Sequence, residues 1–280
     1  MLSYRHAYHA GNHADVLKHL VLVSCLSHLC EKEKGLLIAD THAGAGRFRL
    51  DSREAALNAE YETGIGRLLA GKSPPAVFQP YLDLVRICND DGPLRHYPGS
   101  PWLAMRLLRP QDRLRLFELH PRDHQLLDKM CSNDHRVTVD RADGLKALTA
   151  LLPPPSRRAL VLIDPSYEVK QDYTRVVHAL RDARQRFANG SYIVWYPMLR
   201  RREAVELPKR LKASAGERWL HCWLQVRAPA TEGFGMHGSG LVVVNPPWPL
   251  PAFLSAALPA LCERLGQDGK AGFGLEHEIP

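Results

Sequence analysis

Asp164-Pro165-Ser166-Tyr167 closes the most apolar run in the chain, residues 158–163, and its groups suit one kind of chemistry. An amino group on an aromatic ring is a poor nucleophile because its lone pair is delocalised into the ring. A carboxylate at Asp164 and the Pro165 carbonyl can each accept one N–H, which favours pyramidal nitrogen and aims the lone pair at an electrophile. Asp164 can then take the surplus proton, while the Tyr167 ring stacks on an extruded base. An Asp-Pro turn alone carries no catalytic meaning. Its weight comes from position, at the carboxyl end of a buried strand where open α/β sheets place ligands.

A second constellation lies upstream. Asp40-Thr41-His42-Ala43-Gly44-Ala45-Gly46 follows the apolar run 35–39, so a strand leads directly into a glycine turn where a nucleotide-like ligand approaches backbone closely. The G-K-[ST] of a phosphate-binding P-loop is absent. A dinucleotide site wants a third glycine and an acid about 20 residues on; Arg49 stands where that glycine belongs, and the next strand-terminal acid is Glu118. S-adenosylmethionine fits better, having no pyrophosphate to cradle. Gly44 then belongs to the turn, Glu118 faces the ribose hydroxyls, and Asp143-Gly144 after the third strand reads the adenine. Asp143 equally suits the N-cap of the helix that begins at Leu145.

These residues need elements to hold them. Strands are expected over residues 35–40, 114–118, 136–139, 158–164, 191–195, 219–226 and 240–245, with helices over 102–109, 121–131, 145–152, 173–187, 199–211 and 252–265. Residues 50–98 are polar and helical, broken at Pro74-Pro75, with no convincing strand, and read as a helical insertion subdomain. The Gly-rich stretch 228–239 is too short for a crossover helix, so a hairpin makes one edge strand antiparallel. The expectation is a single α/β methyltransferase domain over residues 1–280: a Rossmann-like, seven-stranded, mostly parallel sheet plus the insertion, with a loose tail after Gly266.

The chain has 280 residues, 37 Lys and Arg against 30 Asp and Glu, and 45% hydrophobic residues. The formal charge of +7 is uneven: residues 151–250 hold 15 basic and eight acidic residues, while the other 180 balance at 22 and 22. A polyanion facing that stretch is expected. No run approaches a membrane span and no secretory signal opens the chain, which reads as cytoplasmic. The six cysteines include no C-x-x-C pair and read as reduced thiols. His6, His9 and His13 lie close together but lack H-E-x-x-H or a cysteine partner, so no metal is expected.

Asp164-Pro165-Ser166-Tyr167 resembles the [DNS]-P-P-[YFW] signature of amino-methyltransferases, with Ser166 in place of the second proline. Asn245-Pro246-Pro247-Trp248 matches that signature more closely, but it follows the last predicted strand, away from the cofactor, and reads as an edge-strand terminator. Together with the opening string from His6 to His19, and with Tyr97-Pro98-Gly99-Ser100-Pro101, Glu118-Leu119-His120-Pro121 and Trp195-Tyr196-Pro197, these motifs resemble the bacterial 23S ribosomal RNA adenine-N6 methyltransferases of the J type nearly throughout. The resemblance implies S-adenosylmethionine against His19, His42, Ser100, Glu118, Asp143, Gly144 and Asp164, with Asp164 as catalytic acceptor and Tyr4 near the substrate. It implies 23S rRNA or a large-subunit assembly intermediate as partner of a monomer. Contacts to RNA are expected from Arg157, Arg158, Lys170, Arg175, Arg200, Arg201 and Arg202, although three arginines opening a helix also suit a plain solvated face. DNA adenine methylation would use the same chemistry, and a non-catalytic RNA-binding assembly protein could keep the same fold. Intact Asp164, Pro165 and Tyr167 weigh against the latter.

Overall fold

In a computed structural model, residues 5–70, 74–230 and 235–279 are described. Tyr4 lies outside them. The described residues build a three-layer α/β sandwich. Its sheet uses β1 (Leu37–Asp40), β4 (Arg113–Phe117), β5 (Val137–Asp140), β6 (Ala159–Ile163), β7 (Ser191–Met198), β8 (Trp219–Gln225), β9 (Gly238–Val244) and β10 (Gly272–Glu278), in the order β10-β8-β9-β7-β6-β1-β4-β5. Strands β1 and β6 are buried along their whole length, as continuous apolar runs covered on both faces should be.

The expectation of seven strands is corrected to eight, and that of one antiparallel edge strand to two antiparallel strands. Strand β9 is not at the edge: it lies between β7 and β8, antiparallel to both. The edge is β10, formed by the tail expected to be loose. Polar anchors hold it there. Glu276 accepts from Lys212 at 3.0 Å and pairs with His221 Nδ1 at 2.7 Å, and Trp219 Nε1 donates to Glu278 at 3.0 Å.

Helices α7 (Gly144–Leu151), α8 (Gln171–Arg186) and α9 (Arg202–Ala215) cover one face of the sheet. The other carries α1 (His13–Leu29), α5 (Ser100–Leu107), α6 (Pro121–Cys131) and α10 (Leu250–Leu265). Helix α1 is buried on nearly every side from His13 to Leu26, so it has no solvated stripe for periodicity to mark. Asn12 caps it by accepting from the Ala14 and Asp15 amides.

Between β2 (Arg47–Arg49) and β3 (His96–Pro98) the chain forms α2 (Arg53–Asn58), a π-helical turn Glu62–Gly66, α3 (Arg67–Leu69) and α4 (Gln79–Ile87). Strands β2 and β3 pair antiparallel, so the stretch read as strandless closes on a short ribbon. Ile65, Leu68, Phe78, Tyr81 and Leu82 join the same core as α1. Among the described residues, no helix is long and apolar enough to cross a membrane.

Candidate active site

The strand order reverses between β1 and β6: the chain leaves β1 for β4 on one side, and β6 lies on the other. At such a switch point the carboxyl ends of the strands open a crevice. A cavity of about 750 Å³ opens here. His19, His42, Gly44, Ser100, Glu118, Asp143, Gly144, Asp164 and Pro165 all line it.

The glycine turn follows β1. Gly44 and Gly46 have φ of +62° and +78°, the left-handed region glycine occupies without cost. The Gly44 amide donates to Glu118 Oε2 at 2.8 Å and the His120 amide to Glu118 Oε1 at 2.6 Å, so backbone fixes both oxygens of that acid. Burial raises the Glu118 pKa against these bonds. Asp40, at the end of β1, accepts from Ser100 Oγ at 2.7 Å and from the His42 amide at 3.2 Å. Its burial pushes the carboxyl up to about 6. Burial lowers His42 to about 4, with Nδ1 2.8 Å from Thr41 Oγ1.

Asp143 plays both parts considered for it. It lines the cavity and caps α7, accepting from the Leu145 and Lys146 amides at 3.1 and 3.3 Å, while Arg175 holds its other oxygen at 2.5 Å. At Gly144 a Cβ would fall 2.3 Å from the Thr41 carbonyl oxygen, so only glycine lets α7 start this close to β1.

Asp164 has the partner that sequence reading left out. Lys18, from buried α1, bonds to its Oδ2 and also to Asp15 Oδ1 at 2.9 Å; Asp15 in turn meets His6 Nε2 at 2.8 Å. Burial works against the lysine charge, yet the two carboxylates keep the Lys18 pKa raised. Burial raises Asp164, and Lys18 opposes it. Asp15 is held well below the usual range despite its burial, by His6 and Lys18. The signal that could have found Lys18 and Asp15 is their i, i+3 spacing within a mostly apolar helix in which they are the only residues of fixed charge, where charges need partners.

Tyr167 is corrected. Its ring is 1% exposed, does not line the cavity, and donates its hydroxyl to the Trp195 carbonyl at 2.8 Å while packing 4.8 Å from the Tyr173 ring. The φ of Tyr167 is +53°, a strained value costing about 1–3 kcal/mol for a side-chain-bearing residue. These contacts hold the turn in that shape, so Tyr167 braces the Asp164 loop instead of stacking on a base. Trp195, one residue past the Ile163–Val194 pair as Asp164 is, lines the cavity in its place.

The basic residues divide. Arg200, Arg201 and Arg202 are exposed where α9 begins, next to cavity-lining Leu199; Arg202 pairs with Glu206 at 2.6 Å. Arg175 lines the cavity, and Lys170 pairs with Glu203 at 3.1 Å. Arg157 and Arg158 precede β6 and therefore sit at the opposite end of its strand from the cavity, where Arg158 donates to the Leu29 and Lys34 carbonyls; the expectation that they lie beside the catalytic loop is corrected. Asn245-Pro246-Pro247-Trp248 sits at that same far end because β9 runs backwards, and the Asn245 amide is spent on the Ala188 and Gly190 carbonyls at 2.7 Å each. The reading of that motif as an edge-strand terminator is corrected only in that β9 is internal.

Residues 33–276 match the family described as "Ribosomal RNA large subunit methyltransferase D, RlmJ". Two curated relatives named Ribosomal RNA large subunit methyltransferase J are similar over all of both chains: one from Haemophilus influenzae, 45% identical over 281 residues, and one from Escherichia coli, 46% identical over 280. A solved structure, protein LPL1258 from Legionella pneumophila, superposes with a TM-score of 0.89 at 35% identity, covering 96% of this chain and 98% of that one. This chain belongs to the ribosomal RNA large subunit methyltransferase J family.

Proposed function

We propose that this methyltransferase uses S-adenosylmethionine to methylate N6 of an adenine in 23S rRNA, acting as a cytoplasmic monomer on the rRNA or on a large-subunit assembly intermediate. The observation that carries the reading is the Asp164-Pro165 turn opening into the same cavity as the glycine turn, Glu118 and Asp143-Gly144. The residues present suit the cofactor: Glu118 for its ribose, Asp143 and Gly144 for its adenine, His19 and Ser100 for the charged amino-acid part, with Asp40 behind Ser100. When bound, the cofactor supplies an electrophilic methyl group on sulfonium.

The chain's own residues do the rest. Asp164 and the Pro165 carbonyl accept the two N–H bonds of the target amine, localising its lone pair. As the N–C bond forms and the S–C bond breaks, the amine acquires positive charge and Asp164 accepts its proton. Lys18 holds the Asp164 carboxylate ionised and oriented beforehand. Trp195 and Pro197 supply the apolar wall beside the base, and Arg200, Arg201 and Arg202 meet phosphates with no base preference. No metal enters this scheme, because methyl transfer from sulfonium needs only alignment and a proton acceptor. Transfer of a tritiated methyl group to 23S rRNA, absent with duplex DNA, is the expected result; labelling of duplex DNA but not of rRNA would overturn the reading.

A further inference from the structure

The insertion supplies two buried hydroxyls, and one arrangement of their protons gives both a partner. Tyr81 of α4 is 1% exposed and Tyr97 of β3 is fully buried, and their hydroxyl oxygens lie 2.9 Å apart. The Tyr97 oxygen is also 2.7 Å from His19 Nδ1, and the two rings stack at 5.5 Å. Tyr81 has no other hydrogen-bond partner among the described residues. Were Tyr97 to donate to Tyr81, the Tyr81 proton would be orphaned in the core, at a cost of about 1–3 kcal/mol. The arrangement that satisfies both hydroxyls has Tyr81 donating to Tyr97 and Tyr97 donating to His19 Nδ1, and the one donor it leaves over, the His19 Nε2 proton, belongs to a residue that lines the cavity, as Tyr81 does not. A neutral imidazole accepting at Nδ1 carries its proton at Nε2. Burial lowers His19 to about 3, so the ring is neutral.

His19 Nε2 is itself buried and has no partner among the described residues, although the residue lines the cavity. Lys18, next to it on α1, is already engaged by Asp15 and Asp164. An anionic group entering the cavity beside Ser100 therefore finds an unengaged buried donor at His19. We propose that Tyr97, backed by Tyr81, is a positioning residue that fixes His19 as an Nε2–H donor to the carboxylate of the cofactor's amino-acid part. The insertion thus shapes the cofactor site from behind. The ligand half of this inference rests on the function proposed above; the proton arrangement does not.

The test combines nitrogen NMR of the ligand-free protein, labelled at histidine, with calorimetric binding of two ligands. S-adenosylhomocysteine carries the carboxylate, and 5′-methylthioadenosine is the same nucleoside without the amino-acid part. His19, assigned by loss of its signals in His19→Gln, should show unprotonated Nδ1 and protonated Nε2. Tyr97→Phe should weaken S-adenosylhomocysteine about tenfold, as expected for a misplaced donor to a charged group, and leave methylthioadenosine within about twofold. Tyr81→Phe, which leaves Tyr97 donating in the same sense, should hold both ligands within about twofold and preserve the His19 pattern. A protonated Nδ1 in the wild type, or equal weakening of both ligands by Tyr97→Phe, overturns the proposal. Failure of either ligand to bind the wild type would instead overturn the cofactor reading, with the NMR result still deciding the proton arrangement.

Discussion

Lys18 is the residue on which the acceptor depends. It is buried between Asp15 and Asp164, and removing one partner of such a group leaves uncompensated charge. Lys18→Met should therefore destabilise the fold by about 3–5 kcal/mol. It should also move the chemistry: Lys18 opposes the rise that burial imposes on Asp164, so without it the carboxylate titrates higher and the acid limb of the rate–pH profile shifts to higher pH. An unshifted acid limb in the folded variant would contradict the role assigned to Lys18. Asp40 gives a second pH dependence. It lies behind cavity-lining Ser100, its carboxyl is pushed up to about 6, and a cation bound nearby favours the ionised form. Affinity for S-adenosylmethionine should weaken as pH falls through about 6, and Asp40→Asn should flatten that dependence; calorimetry across the range checks both.

At the scale of elements, the site is where the ends of β1, β4, β5 and β6 meet the starts of α5 and α7, and Gly144 sets the tightest approach. Gly144→Ala would force α7 away from the Thr41 carbonyl, costing about 1–3 kcal/mol as overpacking does. The same shift displaces Asp143, so cofactor affinity should fall together with the melting temperature; a variant that melts lower but binds normally would separate the two. The sequence made this part legible because buried parallel strands announce themselves as apolar runs, and the acid or glycine after each marks a strand end. It was silent on α1, whose apolar residues face every direction and leave no period, and so Lys18 and Asp15 were missed with their helix. It was silent on β10 too, since an edge strand in which Gly and Glu alternate with Phe, Leu and His is held by side-chain anchors from β8 and α9 that only the fold brings near. Tyr167 was misplaced for a related reason: nothing in a four-residue motif says whether an aromatic ring turns toward the ligand or into the core.

Across the whole molecule, the basic excess that the sequence confines to residues 151–250 is split by the sheet. Arg200, Arg201 and Arg202 lie at the carboxyl end with the cavity, whereas Arg157 and Arg158 lie at the opposite end, where Arg158 ties backbone carbonyls together. Replacing Arg200, Arg201 and Arg202 by alanine should weaken rRNA binding and flatten its salt dependence while leaving cofactor affinity unchanged; Arg157→Ala should leave RNA affinity alone. Equal losses from both sets would mean that RNA wraps the far end as well. The central claim is that Asp164, held by Lys18 at the switch point, accepts the proton of an adenine N6 in 23S rRNA. Nucleotide-resolution mapping of N6-methyladenine in rRNA from cells carrying the wild-type chain or Asp164→Ala tests it most directly. One adenine in 23S rRNA should lose its methyl group in the variant. An unchanged map in the variant, or a map in which only Asn245→Ala removes the methyl group, would contradict it.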